Sequence, residues 1–305
     1  MADDGIGGYF GLECGAPSRP PFAGAYVNSS RNALRLILRT YGVRRLWLPA
    51  YTCPVVNRAV EEEGCAYDQY GLDADFLPDR EFGPEDFVVY NNYFGVCGKN
   101  VAALAARYRN LLVDNAQACY ARPVSRAAFY SPRKFFGLPD GGIAAGEGLS
   151  AEGLPQDRSV ARCGHLLKRL DTGAESGYGD FHREEDTLLG APVRAMSSLT
   201  AALMGGIDWE WAKARRLENF RHLDAHLKST FPFVMSEDDV PMVYPYVTDD
   251  PGLRKRLIAN RIFVATYWPD AVGCDKLRDT ILPLPIDQRY GRKEMDRILE
   301  VINAA

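Results

Sequence analysis

Residues 87–117, FVVYNNYFGVCGKNVAALAARYRNLLVDNAQ, contain two apolar runs separated by a segment with helical spacing. FVVY and LLVD are short and rich in β-branched and aromatic or aliphatic residues, which is typical of buried strands. Between them, VAALAARYRN repeats apolar residues at the spacing of an amphipathic helix of about ten residues. A strand, a crossover helix and a second strand predict two parallel strands of one sheet.

The same alternation extends to both sides of this stretch. Helical patterns occur in RNALRLILRTYG (31–42), which Gly42 ends, and in TCPVVNRAVEEEG (52–64), while RRLWLPAY (44–51), CAYDQYGL (65–72) and RAAFYSPRK (126–134) are typical of strands. Repetition of this kind predicts an α/β fold with a mainly parallel sheet between helices.

The second half of the chain predicts a smaller α/β unit. Residues 143–190 are rich in glycine, serine and acidic residues around one short helix near 158–170, and we expect them to form loops around a cleft. After a long helical stretch, strands are predicted at MVYPYV (242–247), RIFVATYW (261–268) and TILPLPI (280–286). We therefore predict a large domain at 1–190, with the active-site loops, and a smaller domain at 191–305.

Composition narrows the class of protein. The 305 residues carry a net charge of −4 and are 47% hydrophobic, which argues against a nucleic-acid or anionic-membrane surface. No run reaches the roughly 20 apolar residues of a membrane span, and the first residues do not resemble a signal peptide, so we expect a cytoplasmic protein. The seven cysteines form no C-x-x-C pair, and we predict reduced thiols and no metal site.

Two residues at strand ends carry the chemical argument. Asp114 ends the strand LLVD and Lys134 follows the strand RAAFY, and ligands bind at the carboxyl ends of parallel strands. An amine and a carboxylate so placed suit pyridoxal phosphate, because the amine can bond to the aldehyde and the carboxylate can hold the pyridine nitrogen protonated. Taken singly, Asp114 is equally typical of a turn or helix cap, and Lys134 of a surface lysine lying on phenylalanines.

A third segment offers a phosphate site. NSSRNALR (28–35) places Ser30, Arg31 and Asn32 at the start of a helix, where free N–H groups and the helix dipole favour an anion. An ordinary serine cap beside a surface arginine is the alternative. Farther on, Gly141 and Gly142 would let the loop after Lys134 approach another backbone closely.

These segments together resemble the DegT/DnrJ/EryC1/StrS family. The resemblance rests on NSSRNAL (28–34), LPAYTCPVV (48–56), LLVDNAQA (111–118) and SPRKFFGLPDGG (131–142), and it extends more weakly over most of the chain. Members of this family are pyridoxal-phosphate enzymes of fold type I, mostly sugar aminotransferases. The resemblance therefore implies that fold, that cofactor and a homodimer whose active sites form between subunits.

The resemblance also implies roles for individual residues. Lys134 would carry the cofactor covalently and move the proton, Asp114 would bind the pyridine nitrogen, and Gln117 would lie against the ring or its phenolic oxygen. The phosphate would be held by Ser30, Arg31 and Asn32. Two departures from the family's pattern shift roles to other residues: Cys53 stands where an aromatic is usual, so Tyr51 or Tyr93 would cover the ring, and Ser131 would replace a serine whose place Phe129 takes.

The implied activity is transfer of an amino group from an amino acid, with glutamate as the expected donor, to a keto-sugar linked to a nucleotide. Such a reaction serves polysaccharide or secondary-metabolite biosynthesis. Tyr178 and His182, in the segment 171–187, are predicted to contact the substrate.

Two other functions remain as alternatives. One is a pyridoxal-phosphate fold that has lost catalysis and serves as a binding or regulatory subunit. The other, a nicotinamide-dependent enzyme, would need G-x-G-x-x-G directly after the first strand. GIGGYFG (5–11) has too few residues before it to form that strand.

Overall fold

The computed structural model describes residue 14 and residues 22–227, 231, 234–271 and 274–304. The glycine-rich segment GIGGYFG lies outside the described residues. Among the described helices, none combines the length and the apolar content that crossing a membrane requires.

A seven-stranded sheet forms the centre of the first part of the chain. Its strands are β1 (Ala25–Val27), β2 (Arg45–Pro49), β3 (Ala66–Tyr70), β4 (Phe87–Asn91), β5 (Leu111–Asn115), β6 (Ala127–Tyr130) and β7 (Gly142–Gly146). They lie in the order β1-β7-β6-β5-β4-β2-β3. The five strands β6, β5, β4, β2 and β3 are parallel to one another. At one edge, β7 pairs antiparallel with β6, and β1 pairs antiparallel with β7. The predicted mainly parallel sheet is confirmed.

Both faces of the sheet are buried, as a parallel sheet requires. Side chains of β4 alternate between two apolar cores, with Val89 in one and Val88 and Tyr90 in the other. Helices α1 (Ser30–Thr40), α2 (Pro54–Glu62) and α3 (Gly98–Arg107) follow the predicted segments. Helix α1 packs on β7, β6 and β1, which places its first turn close to the loop after Lys134.

The start of α1 touches the double glycine directly. Gly141 has φ +108, a conformation that favours glycine, and its N–H donates to the Asn28 carbonyl at 3.0 Å. A Cβ on Gly142 would lie 2.2 Å from the Ser29 carbonyl carbon and 2.4 Å from the Ser30 nitrogen. The close approach expected from this pair of glycines is thus made to the first turn of α1.

Segment 171–187, which we predicted to be a loop, is a helix. It forms α5 (Ala174–Asp186), antiparallel to α4 (Gly164–Asp171), so that prediction is wrong, whereas the helix expected near 158–170 is confirmed. A Cβ on Gly177 would lie 2.8 Å from the His165 carbonyl oxygen. The glycine therefore permits close packing of the two helices. From the sequence alone, a glycine of this kind looks the same as a glycine in a turn.

The C-terminal part is a smaller α/β unit, as predicted. Its elements are α6 (Ser198–Gly205), α7 (Trp209–Leu227), β8 (Val243–Val247), α8 (Leu253–Ala259), α9 (Asp275–Thr280), β9 (Ile281–Pro285) and α10 (Arg292–Asn303). Strands β8 and β9 pair antiparallel. The division of the chain between residues 190 and 191 stays a prediction.

The strand predicted at RIFVATYW is wrong. Residues 262–268 are assigned neither to a helix nor to a strand, and Arg261 and Trp268 have φ of 58° and 49°, which no strand contains. Some apolar residues of this segment instead fill two different cores: Ile262 packs in the C-terminal core, and Trp268 packs against aromatic residues of the sheet. Burial without a pairing strand accounts for its strand-like composition.

The contact between Gly142 and α1 predicts that adding a single methyl group at Gly142 lowers the stability of the fold strongly. Gly142→Ala would push backbone atoms of Ser29 and Ser30 apart and is expected to destabilise the fold by about 3 kcal/mol. Gly179→Ala is the matched control, because it adds the same group in α5 with no atom within 4 Å. It should raise stability slightly, since glycine weakens a helix interior. Thermal unfolding of both variants tests this, and equal melting temperatures would contradict the close contact.

Candidate active site

A cavity of about 920 Å³ lies at the carboxyl ends of β5 and β6. Its walls come from the sheet, the first turn of α1, the α4–α5 hairpin and the loop after β9. Cationic side chains outnumber carboxylates in this lining, where the cations are Arg31, Arg133, Lys134, Arg169, Arg216 and Arg289 and the carboxylates are Asp114, Glu185 and Asp287. The excess of positive charge suits an anionic ligand.

Asp114 is the buried carboxylate of the cavity. It is 8% exposed, and its Oδ1 accepts a hydrogen bond from the Ala116 N–H at 2.8 Å. Burial raises the pKa of Asp114 to about 6, although the positive charge of Lys134 and the Ala116 hydrogen bond act in the opposite direction. The two predicted catalytic groups therefore interact across one cavity.

Lys134 reaches that cavity from the neighbouring strand. Strand β6 pairs with β5 so that Phe129 lies opposite Asp114, and a short 3₁₀ turn, Pro132–Lys134, follows. Lys134 itself is exposed on the cavity side. The next carbonyl, that of Phe135, accepts hydrogen bonds from Gln288 Nε2 at 2.7 Å and from Arg216 Nη2 at 3.2 Å. These two bonds fix the turn that carries the lysine.

The first turn of α1 lies at the other side of the cavity. Ser29 caps the helix by accepting from the Asn32 N–H at 3.2 Å, while Ser30 and Arg31 line the cavity. One guanidinium nitrogen of Arg31, Nη1, is buried and finds no hydrogen-bond acceptor among the described residues. We call Ser30, Arg31, Ser131 and Arg133 the anion site.

Both arginines of the anion site bind the same carboxylate. Arg31 Nη2 lies 2.6 Å from Glu185 Oε1, and Arg133 pairs with Glu185 Oε2. Burial, together with the nearby positive charge of Arg31, lowers the pKa of Arg133 to about 10. Burial lowers the pKa of Arg31 as well. Two cations are thus held close together in a site with little water.

The structure brings five of the residues predicted for the site into the cavity lining: Ser30, Arg31, Asp114, Ser131 and Lys134. Asn32 lies behind the first turn of α1, where its side-chain amide donates to the carbonyls of Ala191 and Pro192. Gln117 is also outside the lining. Its Oε1 accepts from the Phe94 N–H at 2.7 Å and supports the φ of 58° at Phe94.

Tyr51 and Tyr93 lie in the aromatic core and not on the cavity wall. Their rings are stacked with centroids 5.9 Å apart, and Tyr93 Oη donates to the Tyr51 carbonyl at 2.9 Å. Both are at most 1% exposed. The cavity wall has Cys53, Val55 and Phe135 near this position instead. Contact of either tyrosine with a cofactor ring stays a prediction that this geometry does not favour.

Tyr178 and His182 lie on the outer face of α5. The two rings meet edge to face at 4.5 Å, and the Tyr178 side chain is 65% exposed. The same helix reaches the cavity with Phe181 and Glu185. Neither Tyr178 nor His182 is among the described residues that line the cavity, and substrate contact by them stays a prediction.

Sequence reasoning missed several cavity residues, among them Glu185, Arg216 and Gln288. Arg216 could have been found, because the buried residues of α7 recur every three or four positions and Arg216 falls on that row (Trp209, Ala212, Arg216, Asn219 and Leu223). A charged residue on a buried row indicates a functional or structural role. Glu185 and Gln288 carry no local signal, since their partners lie far away in the sequence.

The chain matches no protein-family model, and comparison with curated protein sequences gives no match either. Solved structures do resemble it. One is a DegT DnrJ EryC1 StrS aminotransferase from Brucella abortus, with a TM-score of 0.61 and 18% identity over 93% of this chain and 86% of that one. Another is the sugar aminotransferase CalS13 from Micromonospora echinospora, with a TM-score of 0.63 and 16% identity over 92% and 87%.

A third similar structure is Spr1654 from Streptococcus pneumoniae in its PLP-form. It has a TM-score of 0.66 and 15% identity, over 92% of this chain and 86% of that chain. Agreement over nearly the whole length of both chains, despite low identity, concerns the arrangement of the elements. The chain therefore has the fold of the DegT/DnrJ/EryC1/StrS aminotransferases, as its sequence motifs predicted.

Proposed function

We propose that this protein is a pyridoxal-phosphate-dependent aminotransferase that moves an amino group from an amino acid to a keto-sugar. The observation that carries the proposal is the placement of Asp114 and Lys134 at the ends of adjacent parallel strands. They share one cavity with the positively charged anion site. The similar solved structures, among them a sugar aminotransferase and one in a PLP-form, support it.

The residues of the cavity fit the cofactor. A phosphate group needs N–H donors and positive charge, which Ser30, Arg31 and the first turn of α1 offer. These donors include the buried Arg31 Nη1, for which the described part of the chain supplies no acceptor. A pyridinium ring needs a buried carboxylate, which is Asp114. Phe129 and Val56 supply apolar surface between these groups.

When bound, pyridoxal phosphate supplies an electron-accepting ring. This ring makes the hydrogen on the substrate's amine-bearing carbon acidic. The side chains of the protein hold and move the protons. Lys134, held in the turn before Phe135, would accept the proton from that carbon at Nζ and later return it to complete the transfer. Arg31 and Arg133 bind the anionic group and orient it, and apolar walls exclude water.

Asp114 is adapted to hold a cation. In water a carboxylate ionises readily, but burial here favours the protonated form. A cationic pyridine nitrogen next to Asp114 would remove that penalty, because it supplies the opposite charge that the buried carboxylate lacks. The carboxylate in turn keeps the nitrogen protonated.

The finer features of the function rest on the same proposal. Glutamate as donor and a nucleotide-linked sugar as acceptor agree with the positive charge contributed by Arg169 and Arg289 at the cavity wall. Homodimerisation is proposed from the resemblance to the family, and a place in the cytoplasm stays an expectation from the sequence. Tyr178 and His182 would have to act at the outer edge of α5 in such an assembly.

The proposal predicts an absorption band that requires Lys134. Purified protein mixed with pyridoxal phosphate should absorb in the near ultraviolet or visible range, and addition of glutamate should bleach the band. Lys134→Ala should abolish the band because Lys134 is the only lysine among the described residues that line the cavity. Lys99→Ala, which removes an exposed lysine on α3, should leave it unchanged.

Other results would decide against parts of this proposal. A band that needs Lys134 but that no amino acid bleaches would indicate the catalytically silent subunit. Absence of a band in the wild-type protein would contradict the cofactor assignment.

The raised pKa of Asp114 predicts opposite effects of one substitution on stability and on cofactor binding. The pKa of about 6 in the fold exceeds the ordinary value of 3.8, so the folded state binds the proton more tightly than the unfolded state. The associated stability is complete below pH 4 and is lost as the pH rises through 6. The loss amounts to about 3 kcal/mol, at 1.36 kcal/mol per pH unit.

Asp114→Asn should therefore stabilise the cofactor-free protein at pH 8 and have little effect on its stability near pH 4.5. The same variant should bind pyridoxal phosphate more weakly because the partner of the ring nitrogen is gone. Melting temperatures across this pH range and a cofactor titration test both effects. A difference in melting temperature that does not change with pH would show that Asp114 is not the titrating group.

A further inference from the structure

The α4–α5 hairpin forms the outer wall of the cavity. It contributes His165, Leu166, Arg169 and Leu170 from α4 and Phe181 and Glu185 from α5. The two helices pack chiefly against each other. Ion pairs join them internally, with Lys168 bound to Asp180 at 2.5 Å and His165 bound to Glu184.

Both ends of this hairpin are fixed to the rest of the protein. Before α4, Arg162 Nε donates to the fully buried Asp140 carboxylate at 2.8 Å. After α5, the Ala191 carbonyl accepts from Arg35 Nη1 at 2.9 Å and from the Asn32 amide. Between these two attachments, the helices are joined chiefly to each other.

Among the described residues, two carboxylates of α5, those of Glu175 and Glu185, form ion pairs with residues outside the hairpin. Glu175 pairs with Arg261 at the start of the helix, but both side chains are about 70% exposed, so this pair contributes little. Glu185, near the end of the helix, binds Arg31 and Arg133, whose side chains are only 12% and 17% exposed. The contact of Glu185 with the anion site therefore dominates.

Charge balance shows what this contact does. Two guanidinium groups face one carboxylate, so the site keeps a net positive charge, to which the N-terminus of α1 adds. A phosphate dianion would neutralise the two arginines without Glu185. With Glu185 still in place, two anionic groups would share the same donors and repel each other in a poorly hydrated site.

We propose that Glu185 is a built-in competitor for the anion site, and that a bound phosphate displaces its carboxylate and releases α5 from the cavity mouth. The identity of the phosphate as that of the cofactor rests on the proposed function. The competition itself requires only the two arginines and the carboxylate. Glu185 in this role holds the hairpin over the cavity before the cofactor binds and lowers the affinity for it.

The opposite role makes the opposite prediction. If Glu185 oriented Arg31 and Arg133 for the phosphate and remained bound to them, its removal would weaken phosphate binding. Removal of a competitor strengthens binding instead. The sign of the change separates the two roles.

The first test compares the wild-type protein with Glu185→Gln and Asp186→Asn by calorimetric titration with inorganic phosphate. Asp186 is the matched control, because it is the next residue of α5, is exposed and forms no ion pair with the described residues. Glu185→Gln should lower the dissociation constant about tenfold, as expected for a charge-assisted contact that no longer competes. Asp186→Asn should match the wild type. An unchanged or raised constant for Glu185→Gln overturns the proposal.

A second measurement needs no substitution at the site. Hydrogen exchange of the wild-type protein should speed up over residues 174–186 when phosphate or pyridoxal phosphate is added, because α5 loses its main attachment. Exchange in α1 should slow. Unchanged or slower exchange in α5 overturns the proposal, and this holds even if Glu185→Gln fails to fold.

The two proposals fail separately. If pyridoxal phosphate gives no band that depends on Lys134, while Glu185→Gln still binds inorganic phosphate more tightly, the proposed function is wrong and the competition stands. If the band is present but Glu185→Gln does not bind phosphate or pyridoxal phosphate more tightly, the cofactor assignment stands and the competition is overturned.

Discussion

Burial of the Asp114 carboxylate at the end of β5 is the constraint that gives the site its chemistry. A charge in that position is unfavourable unless an opposite charge lies nearby, and Lys134 supplies it only in part, since the pKa of Asp114 remains near 6. The same shortage of solvent lowers the pKa of Arg133 on the other side of the cavity. The cavity thus contains a negative charge and positive charges that neighbouring groups balance only in part. A ligand with a cationic ring nitrogen and an anionic phosphate would balance both.

The geometry of that cavity depends on a backbone contact. Gly142 follows the Lys134 loop, and its backbone lies against Ser29 and Ser30 with no space for a side chain. Because Asp140, one residue before the double glycine, is fully buried and bonded to Arg162, the loop cannot move freely. The position of the lysine turn, the anion site and the root of the α4–α5 hairpin are consequently set by one small group of neighbouring residues.

Sequence reasoning succeeded where a function depends on local pattern and strand order. Alternation of strands and helices predicted the sheet, and the strand-end positions of Asp114 and Lys134 predicted that they would share a cavity. It failed where long-range packing decides. The glycines of α5 resemble turn residues until α4 is placed beside them, RIFVATYW resembles a strand although its residues fill two cores, and the rings of Tyr51 and Tyr93 belong to a core that no motif reveals.

The same distinction explains why Glu185 was not found. Its two partners lie at positions 31 and 133, and a glutamate among the charged residues of HREED has no feature that separates it from its neighbours. Its position follows from the hairpin, which brings α5 across the cavity, and from the arginines, whose charge needs a partner whenever the phosphate is absent. Two largely buried arginines that lie close together need an anionic partner, and α5 is the element from which this chain provides one.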